Sequence, residues 1–305
     1  MERLAKLCSS QAVYLVERFE VPRPKALLGD KHLRQLIAGI KRILTETGGG
    51  TFQTFRLAAA GSESAVMNRL GEEISRQTGL RRHDDDGDLL VRLRRESDHA
   101  WEALIRLTSR PLATRAWRVC NYEGALNAII ARAMIQLALP AAGGPGQATL
   151  VNPCCGSGTL LIEAGGLLTA HWRMVGFDDN PGALACATAN MAAARSAGLI
   201  PGSSTFAQGD AARLGMPDAY ADALVADLPF GNLIGSHARN TMLYPEVLRE
   251  AARCARRGAR FVIVSNEARL MVRSIAESTG VWRLVDTRVI SQRGLHPSIY
   301  RLVRL

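Results

Sequence analysis

The chain has 305 residues, of which 47% are hydrophobic and 22% charged, and it carries a formal net charge of +10 with a pI near 9.8. This composition is ordinary for a soluble globular protein. The length excludes a chain too small to bury a core and allows one large or two ordinary domains. A positive charge of this size indicates an anionic partner, of which nucleic acid is the simplest.

The six cysteines form no C-x-x-C pair and have no His-rich spacing, so the sequence predicts neither a metal site nor a disulfide framework. No signal-peptide pattern and no apolar run of membrane length is visible; the best candidate, residues 125–139, is interrupted by Arg132. We therefore expect a cytoplasmic protein that contacts no membrane and binds no metal. A monomer is slightly favoured over an oligomer.

The first 110 residues predict a small α/β module that ends near Arg110-Pro111. Residues 1–50 give a clear pattern only where apolar side chains recur at helical spacing. The predicted elements of this module are a helix over 31–44, a strand over 51–58, a helix over 64–77 and strands over 88–94 and 101–107.

Residues 111–305 begin with a helix at about 124–139 and a Gly- and Pro-rich connection at 140–147, and then alternate strands with helices. Such alternation is typical of a parallel sheet covered on both faces. The predicted strands are 148–152, 173–178, 204–208, 222–227, 260–265, 282–290 and 298–304. The last two are joined by residues 293–297 with no helix between them, which indicates an antiparallel hairpin at the end of the sheet.

The stretch 148–166 reads as strand, tight glycine turn and helix, which is the first unit of a nucleotide-binding sheet. Gly156 and Gly158 have no Cβ, so a ligand can approach the backbone closely. A dinucleotide fingerprint would need a third glycine where Leu161 stands, and the Gly-Lys-Ser/Thr of a phosphate loop is absent. A nicotinamide enzyme and an NTPase are therefore disfavoured, and a different nucleotide-like ligand remains.

Polar residues also follow the next three predicted strands. Asp178 and Asp179 come about 20 residues after the glycine turn, where an acid can accept the hydroxyl hydrogens of a ribose. Asp210 follows the third strand, where a carboxylate can meet an adenine amine. Residues 227–230 follow the fourth. Because the carboxyl ends of parallel strands lie at one edge of a sheet, the four turns predict one common site.

These turns, NPCCGSGT, GFDDN, QGD and DLPFG, resemble those of class I S-adenosylmethionine-dependent methyltransferases. The segments RPLATRAWR, NPCCGSGTLLIEAG, SHARNTMLYPEVLREAARC and GLHPSIYRLVR narrow the resemblance to the THUMP-domain-containing RNA methyltransferases that modify the exocyclic amine of guanosine in tRNA. The resemblance covers about residues 105–305, and residues 51–107 are similar to the later part of a THUMP module. The first 50 residues would have to supply the rest of that module and are short for it.

The resemblance implies a THUMP-like RNA-binding module at 1–110 and a methyltransferase domain at 111–305 with a Rossmann-like α/β sheet of seven strands, the last antiparallel. It also implies S-adenosyl-L-methionine as cofactor. The residues that it implies for cofactor binding are Asn152, Cys154, Gly156, Ser157, Gly158, Thr159, Asp178, Asp179, Asp210, Ala211 and Asp227. The glycine turn would form the bed for the amino-acid portion of the cofactor, supported by Asn152. Asp178, in preference to Asp179, would hold the ribose, and Asp210 would meet the adenine.

The resemblance makes Asp227, Leu228, Pro229 and Phe230 the catalytic tetrapeptide, and its chemistry can be stated independently. The guanine amine is a poor nucleophile because its lone pair is delocalised into the ring. Asp227 and the Leu228 carbonyl can each accept one N–H and so direct the lone pair toward the methyl group. Pro229 fixes the backbone, and Phe230 offers a face on which an extruded base stacks, at about 1–3 kcal/mol. Asp227 can also remove the proton that becomes acidic after transfer.

The expected partner is tRNA, and two alternatives stay open. The chain could methylate another planar amine, in rRNA guanine, DNA adenine or protein glutamine, or it could be a catalytically silent RNA-binding protein. Two departures from the family bear on this: Asn152 stands where many relatives have Asp, and residues 232–234 are Asn-Leu-Ile where basic residues are frequent. Arg239 and Asn240 are candidates for phosphate contacts. A second basic cluster is interpreted as a solvated helix end: Arg253, Arg256, Arg257 and Arg260.

Overall fold

The computed structural model describes residues 4, 7–48, 50–139, 147–230, 236–292 and 294–305. The chain forms two compact units, residues 1–114 and 115–305. Three parts of the sequence predictions lie outside the described residues: most of the connection at 140–147, the segment 231–235 and Arg293.

The first unit contains one sheet with helices packed on it. Its elements are β1 (Tyr14–Phe19), a 3-10 helix (Pro24–Leu28), α1 (Asp30–Glu46), β2 (Thr54–Ala58), α2 (Ala65–Thr78), β3 (Arg81–Arg82), β4 (Leu89–Ser97) and β5 (Ala100–Arg106). The sheet has the strand order β1-β5-β4-β2-β3, in which β1, β5 and β4 are antiparallel neighbours. Strand β1 was not predicted from the sequence.

The two helices of this unit follow from their sequence patterns. In α1, the buried residues Leu36, Ile40 and Ile43 recur at spacings of four and three and so form one apolar stripe. Helix α2 is capped at its N-terminus by Ser64, whose side chain accepts a hydrogen bond from the Met67 amide. These buried side chains join those of β2, β4 and β5 in one core.

The second unit contains the seven-stranded sheet. Its elements are α3 (Ala128–Ala138), β6 (Ala148–Asn152), α4 (Thr159–Gly165), β7 (Trp172–Asp178), α5 (Pro181–Ser196), β8 (Ser203–Gln208), β9 (Ala221–Asp227), α6 (His237–Cys254), β10 (Ala255–Ser265), α7 (Ala268–Glu277), β11 (Trp282–Val289) and β12 (Ser298–Arg304). The strand order is β11-β12-β10-β9-β6-β7-β8, and β12 runs antiparallel to both of its neighbours. The predicted seven-stranded sheet with an antiparallel last strand is confirmed.

Both faces of this sheet are covered, as predicted. Along β9, Leu224 faces the core that contains α6 and α7, whereas Val225 faces the core that contains α3 and α4. Fully burying a large aliphatic side chain stabilises the fold by about 1.5–3 kcal/mol. Strand β10 begins earlier than predicted, because Ala255 already pairs with Ala221 before the register shifts.

The order of the strands in this sheet determines where a ligand-binding site is expected. After β6, the chain adds β7 and β8 on one side of that strand, and then β9 and β10 on the other. The carboxyl ends of β6 and β9 therefore border the crevice at which the strand order reverses, where open α/β sheets bind ligands.

A buried ion pair attaches the start of the second unit to the helix after the glycine turn. The Arg115 guanidinium donates to both carboxylate oxygens of Glu163, at 2.7 and 3.2 Å, and the Glu163 side chain is 4% exposed. Arg132 of α3 donates to the Glu163 backbone carbonyl at 2.9 Å. Arg118 donates to the Thr159 hydroxyl at 3.1 Å.

The same segment carries a disulfide, which corrects the expectation that cysteine pairing is absent. Cys120 is bonded to Cys186 of α5, with 5.4 Å between the Cα atoms. The fully buried Asn190 reinforces this link, because its side chain bonds both the N–H and the C=O of Cys120. The two cysteines are 66 residues apart, and cysteine spacing alone does not show that α5 brings them together.

Among the residues that the structure describes, none of the helices combines the length and the hydropathy that a membrane span requires. Within the same residues, no group of three or more His, Cys, Asp or Glu side chains is arranged to hold a metal ion.

Candidate active site

The glycine turn after β6 adopts the backbone that its residue types predict. Gly156 and Gly158 have φ angles of +51° and +81°, in the left-handed region that favours glycine. A Cβ added to Gly158 would lie 3.2 Å from Ala187 and from Phe206, whereas one added to Gly156 would meet no protein atom within 4 Å. Gly158 is therefore required for packing, and Gly156 leaves open space beside the turn.

Asp178, at the end of β7, is bound to this turn. One carboxylate oxygen accepts the Gly156 N–H at 2.7 Å, and the other accepts the Asn180 N–H at 3.1 Å. Burial raises the pKa of Asp178, while these two hydrogen bonds act in the opposite direction. The carboxylate is thus held in place before any ligand is present.

Asp179 is more exposed than Asp178 and forms an ion pair with Arg239 of α6, at 3.1 Å. The Asp210 carboxylate accepts the Ala212 N–H at 2.8 Å and is exposed. The three carboxylates therefore share one rim but differ in environment, and only Asp178 is held by the glycine turn.

Asp227 is the last residue of β9 and is half-buried. Burial raises its pKa to about 7. The Cys154 thiol lies 3.6 Å from the Asp227 backbone carbonyl and donates to it. A carboxyl with a pKa near neutrality can accept a proton at physiological pH, which is the property required of a general base.

The residues after Asp227 are held from two sides. The Leu228 N–H donates to the Val264 carbonyl at 3.1 Å, and the Leu228 side chain is 1% exposed. The Pro229 carbonyl accepts hydrogen bonds from Asn240 and Tyr244 of α6. Phe230 is partly buried and packs against the core that contains α3 and α4.

Most of the predicted site residues line one cavity of about 340 Å³. The predicted residues that line it are Asn152, Cys154, Gly156, Ser157, Thr159, Asp178, Asp179, Asp227, Leu228, Pro229 and Phe230. Asp210 and Ala211 instead line a neighbouring cavity of about 100 Å³. The two cavities share six lining residues: Cys154, Asp178, Asp179, Leu228, Pro229 and Arg239. The four predicted turns therefore converge on one edge of the sheet.

The sequence predictions missed two further walls of the larger cavity. Residues 122–126, which precede α3, line it, and so do Gln292 and Leu295 from the connection between β11 and β12. Tyr122 stands two residues after Cys120, so the disulfide and Asn190 hold the backbone that leads into this wall. The only trace of this wall in the sequence is a polar or aromatic residue just before α3, and that is a weak indication of a binding site.

One predicted phosphate contact needs correction. Asn240 is fully buried and bonded to Pro229, so it cannot reach a phosphate. Arg239 forms an exposed ion pair with Asp179, and its contact with phosphate stays a prediction. The second arginine cluster is not simply solvated either. Arg253 pairs with Glu250 of the same helix and with Asp218, which joins α6 to the loop before β9. Arg256 pairs with Asp222, which joins β10 to β9.

Comparison with known proteins assigns the second unit. The family described as UPF0020, RMKL-like methyltransferase domain, matches residues 115–297. The tRNA (guanine(6)-N(2))-methyltransferase THUMP3 of Mus musculus is 32% identical over 163 residues, which are 51% of this chain and 32% of that protein. The chain thus spans about a third of the length of this mammalian relative.

A bacterial relative matches more of the chain. The tRNA (guanine(6)-N2)-methyltransferase of Thermus thermophilus is 27% identical over 242 residues, which are 79% of this chain and 68% of that protein. The crystal structure of TrmN from Thermus thermophilus has the same fold, with a TM-score of 0.70 and 24% sequence identity over 96% of this chain and 83% of that one.

Proposed function

Because the chain belongs to the family of RMKL-like methyltransferase domains, we propose that it transfers a methyl group from S-adenosyl-L-methionine to the exocyclic N2 amine of a guanosine in tRNA. The observation that carries this proposal is the single cavity in which the Asp227 carboxylate and the glycine turn face the same space. Relatives named as tRNA (guanine(6)-N2)-methyltransferases support the choice of substrate.

The residues present fit the cofactor. The Asn152 side chain is 1% exposed, lines the cavity, and has an amide nitrogen that is buried with no hydrogen-bond partner among the described residues. A buried polar group without a partner is unfavourable, so this nitrogen is suited to donate to a polar group of a ligand. Gly156 leaves room beside the turn, and Asp178 presents a fixed acceptor for ribose hydroxyls.

The tetrapeptide supplies the chemistry on the substrate side. When bound, S-adenosylmethionine would supply an electrophilic methyl group, and its sulfonium sulfur would keep the bonding pair as the amine nitrogen takes the methyl. Asp227 and the Leu228 carbonyl accept the two N–H groups of the target amine, and Phe230 stacks against the extruded base. The Asp227 carboxylate then takes the proton that the methylated amine releases, which its pKa of about 7 allows.

We assign RNA binding to the first unit, as a THUMP-like module. Phe55 and Leu57 of β2 face the core, so Arg56 lies on the opposite face of the sheet, together with Arg92 of β4. Burial lowers the pKa of Arg106, and the positive charges of Arg110, Arg56 and Arg92 lower it further, which indicates that these arginines share one region. A sheet face with this charge suits a phosphate backbone.

The first test is product analysis. Wild type and an Asp227→Ala variant are incubated with labelled S-adenosylmethionine and, separately, with total tRNA, rRNA, DNA and protein, and the digested products are identified. We expect N2-methylguanosine from tRNA with wild type and a fall in rate of about 10²–10⁴-fold with Asp227→Ala. Glu246→Gln, which neutralises an exposed carboxylate on α6, is the matched control and should retain activity.

Each other outcome rejects part of the proposal. Label only in rRNA, in adenine or in glutamine would overturn the choice of tRNA. Tight tRNA binding without label in any substrate would favour a silent RNA-binding protein. Full activity of Asp227→Ala would show that the tetrapeptide does not have the catalytic role proposed for it.

The assignment of the first unit has its own test. The dissociation constant for tRNA is measured at several salt concentrations for Arg56→Ala, Arg92→Ala and Arg42→Ala. Each lost phosphate contact should weaken binding and reduce the slope of log K against log salt by about 0.7–0.9. Arg42, an exposed residue of α1, is the control, and an equal effect at this position would show that only net charge matters.

We also propose that the protein acts in the cytoplasm, and that it acts as a monomer, the simplest working form. Glutathione and thioredoxin keep most thiols reduced in that compartment, so Cys120 and Cys186 would be a dithiol there. Light scattering of the purified protein tests the monomer, and thiol trapping in cells tests the state of the two cysteines.

A further inference from the structure

The carbonyl oxygen of Pro229 is held by two buried donors from α6. The Asn240 side-chain amide donates to it at 2.8 Å and the Tyr244 hydroxyl at 2.7 Å. Both side chains are 0% exposed. A carbonyl oxygen has two lone pairs, and here each is directed at a protein donor rather than at the cavity.

Each donor is held in turn by a residue at the end of β10 or just after it. The Asn240 amide nitrogen also donates to the Glu267 carboxylate at 2.7 Å. The Tyr244 oxygen lies 2.8 Å from the Ser265 hydroxyl, which accepts the Glu267 N–H at 3.0 Å. Donors with two partners have little freedom to rotate, so the position of the Pro229 carbonyl is defined by α6 and β10 together.

These contacts leave little freedom on either side of the Leu228 carbonyl. The Leu228 N–H is bonded to Val264, and the Leu228 side chain is buried. The ring of Pro229 fixes its φ angle, and the two hydrogen bonds to its carbonyl fix its ψ angle. The direction of the Leu228 carbonyl, and the point from which the Phe230 ring projects, are therefore set from outside the tetrapeptide.

We propose that Asn240 and Tyr244 are positioning residues of the methyl transfer: by holding the Pro229 carbonyl they aim the Leu228 carbonyl and the Phe230 ring at the target amine. This inference rests on the proposed function. It assigns a role to two residues that do not line the larger cavity, although Asn240 lines the smaller one beside Leu228 and Pro229. A purely structural role would instead affect folding and leave turnover by the folded protein unchanged.

The test compares two tyrosines of the same core. Tyr244→Phe removes the hydroxyl that holds Pro229, whereas Tyr300→Phe removes the hydroxyl of another fully buried tyrosine in the same hydrophobic cluster. We expect Tyr244→Phe to lower kcat by about 10–100-fold, because an active-site displacement of about 1 Å has effects of this size. The dissociation constant for S-adenosylmethionine should stay within about twofold of wild type. Tyr300→Phe should keep wild-type kcat.

Asn240→Leu is the second variant, because leucine has a similar shape but cannot donate to Pro229. It should lower kcat at least as much as Tyr244→Phe, and melting temperatures report whether each variant is folded. Equal kcat values for Tyr244→Phe, Asn240→Leu and wild type would overturn the inference. So would a loss of cofactor affinity that accounts for the whole effect.

A failure of the proposed function gives a different pattern. If wild type methylates a substrate other than tRNA, the same kcat comparison is made with that substrate and still tests the positioning. If wild type methylates nothing, crystal structures of Tyr244→Phe and Tyr300→Phe test whether Tyr244 positions the tetrapeptide. The Leu228 carbonyl and the Phe230 ring should move only in Tyr244→Phe, and an unmoved tetrapeptide in that variant would overturn the inference.

Discussion

The carboxylate of Asp178 accepts a hydrogen bond from the backbone N–H of Gly156, with 2.7 Å between oxygen and nitrogen. This bond joins the end of β7 to the turn after β6, so one side chain holds two walls of the cavity together. Two carboxylate oxygens offer about four acceptor sites, and the contacts with Gly156 and Asn180 use only two of them. Asp178 therefore retains the capacity to bind a ribose.

Replacing Asp178 with alanine should weaken cofactor binding. We expect the dissociation constant of S-adenosylmethionine, measured by calorimetry, to rise by about 10–100-fold, because hydrogen bonds to a charged acceptor contribute about 1.5–3 kcal/mol. Asp179→Ala is the control, since that carboxylate is exposed and paired with Arg239, and its effect should be smaller. A larger loss with Asp179→Ala would mean that Asp179 binds the ribose.

The raised pKa of Asp227 predicts how activity depends on pH. Only the carboxylate form can take up the proton that the methylated amine releases, so kcat/KM should rise with pH and level off above about 7. The positive charge of the cofactor favours the carboxylate, so the bend in kcat should lie at lower pH than the bend in kcat/KM. Steady-state kinetics across this range check both, and a kcat/KM without a bend near neutrality would contradict the assignment of Asp227.

The same pKa predicts an effect on stability. The Asp227 carboxyl ionises near its ordinary value of 3.8 in the unfolded chain but near 7 in the folded protein. Between these values the folded state binds more protons, so the free energy of unfolding falls as the pH rises. Asp227→Asn removes this loss and should increase the free energy of unfolding near pH 8 by on the order of 1–2 kcal/mol, less than the full shift implies because the side chain is only half-buried.

Urea unfolding of the two proteins near pH 4 and near pH 8 checks this expectation. Their stabilities should be close at the lower pH and diverge at the higher one. An equal gain at both pH values would attribute the effect to packing rather than to ionisation.

Removing the disulfide should destabilise the second unit. The bond between Cys120 and Cys186 closes a separation of 66 residues, and a cross-link of this span stabilises a fold by about 2–4 kcal/mol. Urea unfolding of the Cys120→Ser/Cys186→Ser double variant should show this loss, and wild type in reductant should match the variant. Wild type that unfolds identically with and without reductant would show that the bond does not form in solution.

The ion pair of Arg115 with Glu163 provides a comparison between buried and exposed charges. Arg115→Ala leaves the Glu163 carboxylate buried without its bidentate partner, and we expect a loss of about 3–5 kcal/mol in the free energy of unfolding. Arg273→Ala breaks an exposed pair with Glu277 and should lose less than about 1 kcal/mol. Similar losses for the two variants would mean that burial does not determine the strength of this pair.

The sequence predicted the second unit well because its strands are short apolar runs bounded by turn residues. Strand β6, for example, was expected at 148–152 and lies at Ala148–Asn152. Strand β1 was not predicted because it pairs with a distant segment, β5, in which Arg106 is opposite Tyr14. A long-range pairing of this kind leaves little trace in the local pattern of either segment.

The residues of the site that could be predicted lie in loops that directly follow strands. These loops were predictable because the topology of a parallel sheet alone brings them to one edge. The wall formed by residues 122–126 and by Gln292 depends on how distant segments pack, which residue spacing does not encode. Asn240 shows the same limit for a single side chain. A polar residue at the start of a helix suggests a ligand contact in sequence, but here it lies inside the protein and bonds to Pro229.

Helix α5 is rich in alanine, and this has a consequence for how the chain can vary. Ala187 lies 3.2 Å from where a Cβ on Gly158 would be, so helix and turn approach as closely as small residues permit. A larger residue at position 187 would push the turn outward although it touches no ligand. Substitutions in α5 could thus lower the affinity for the methyl donor while the catalytic tetrapeptide stays intact. Inspection of the catalytic residues alone would not explain such a loss.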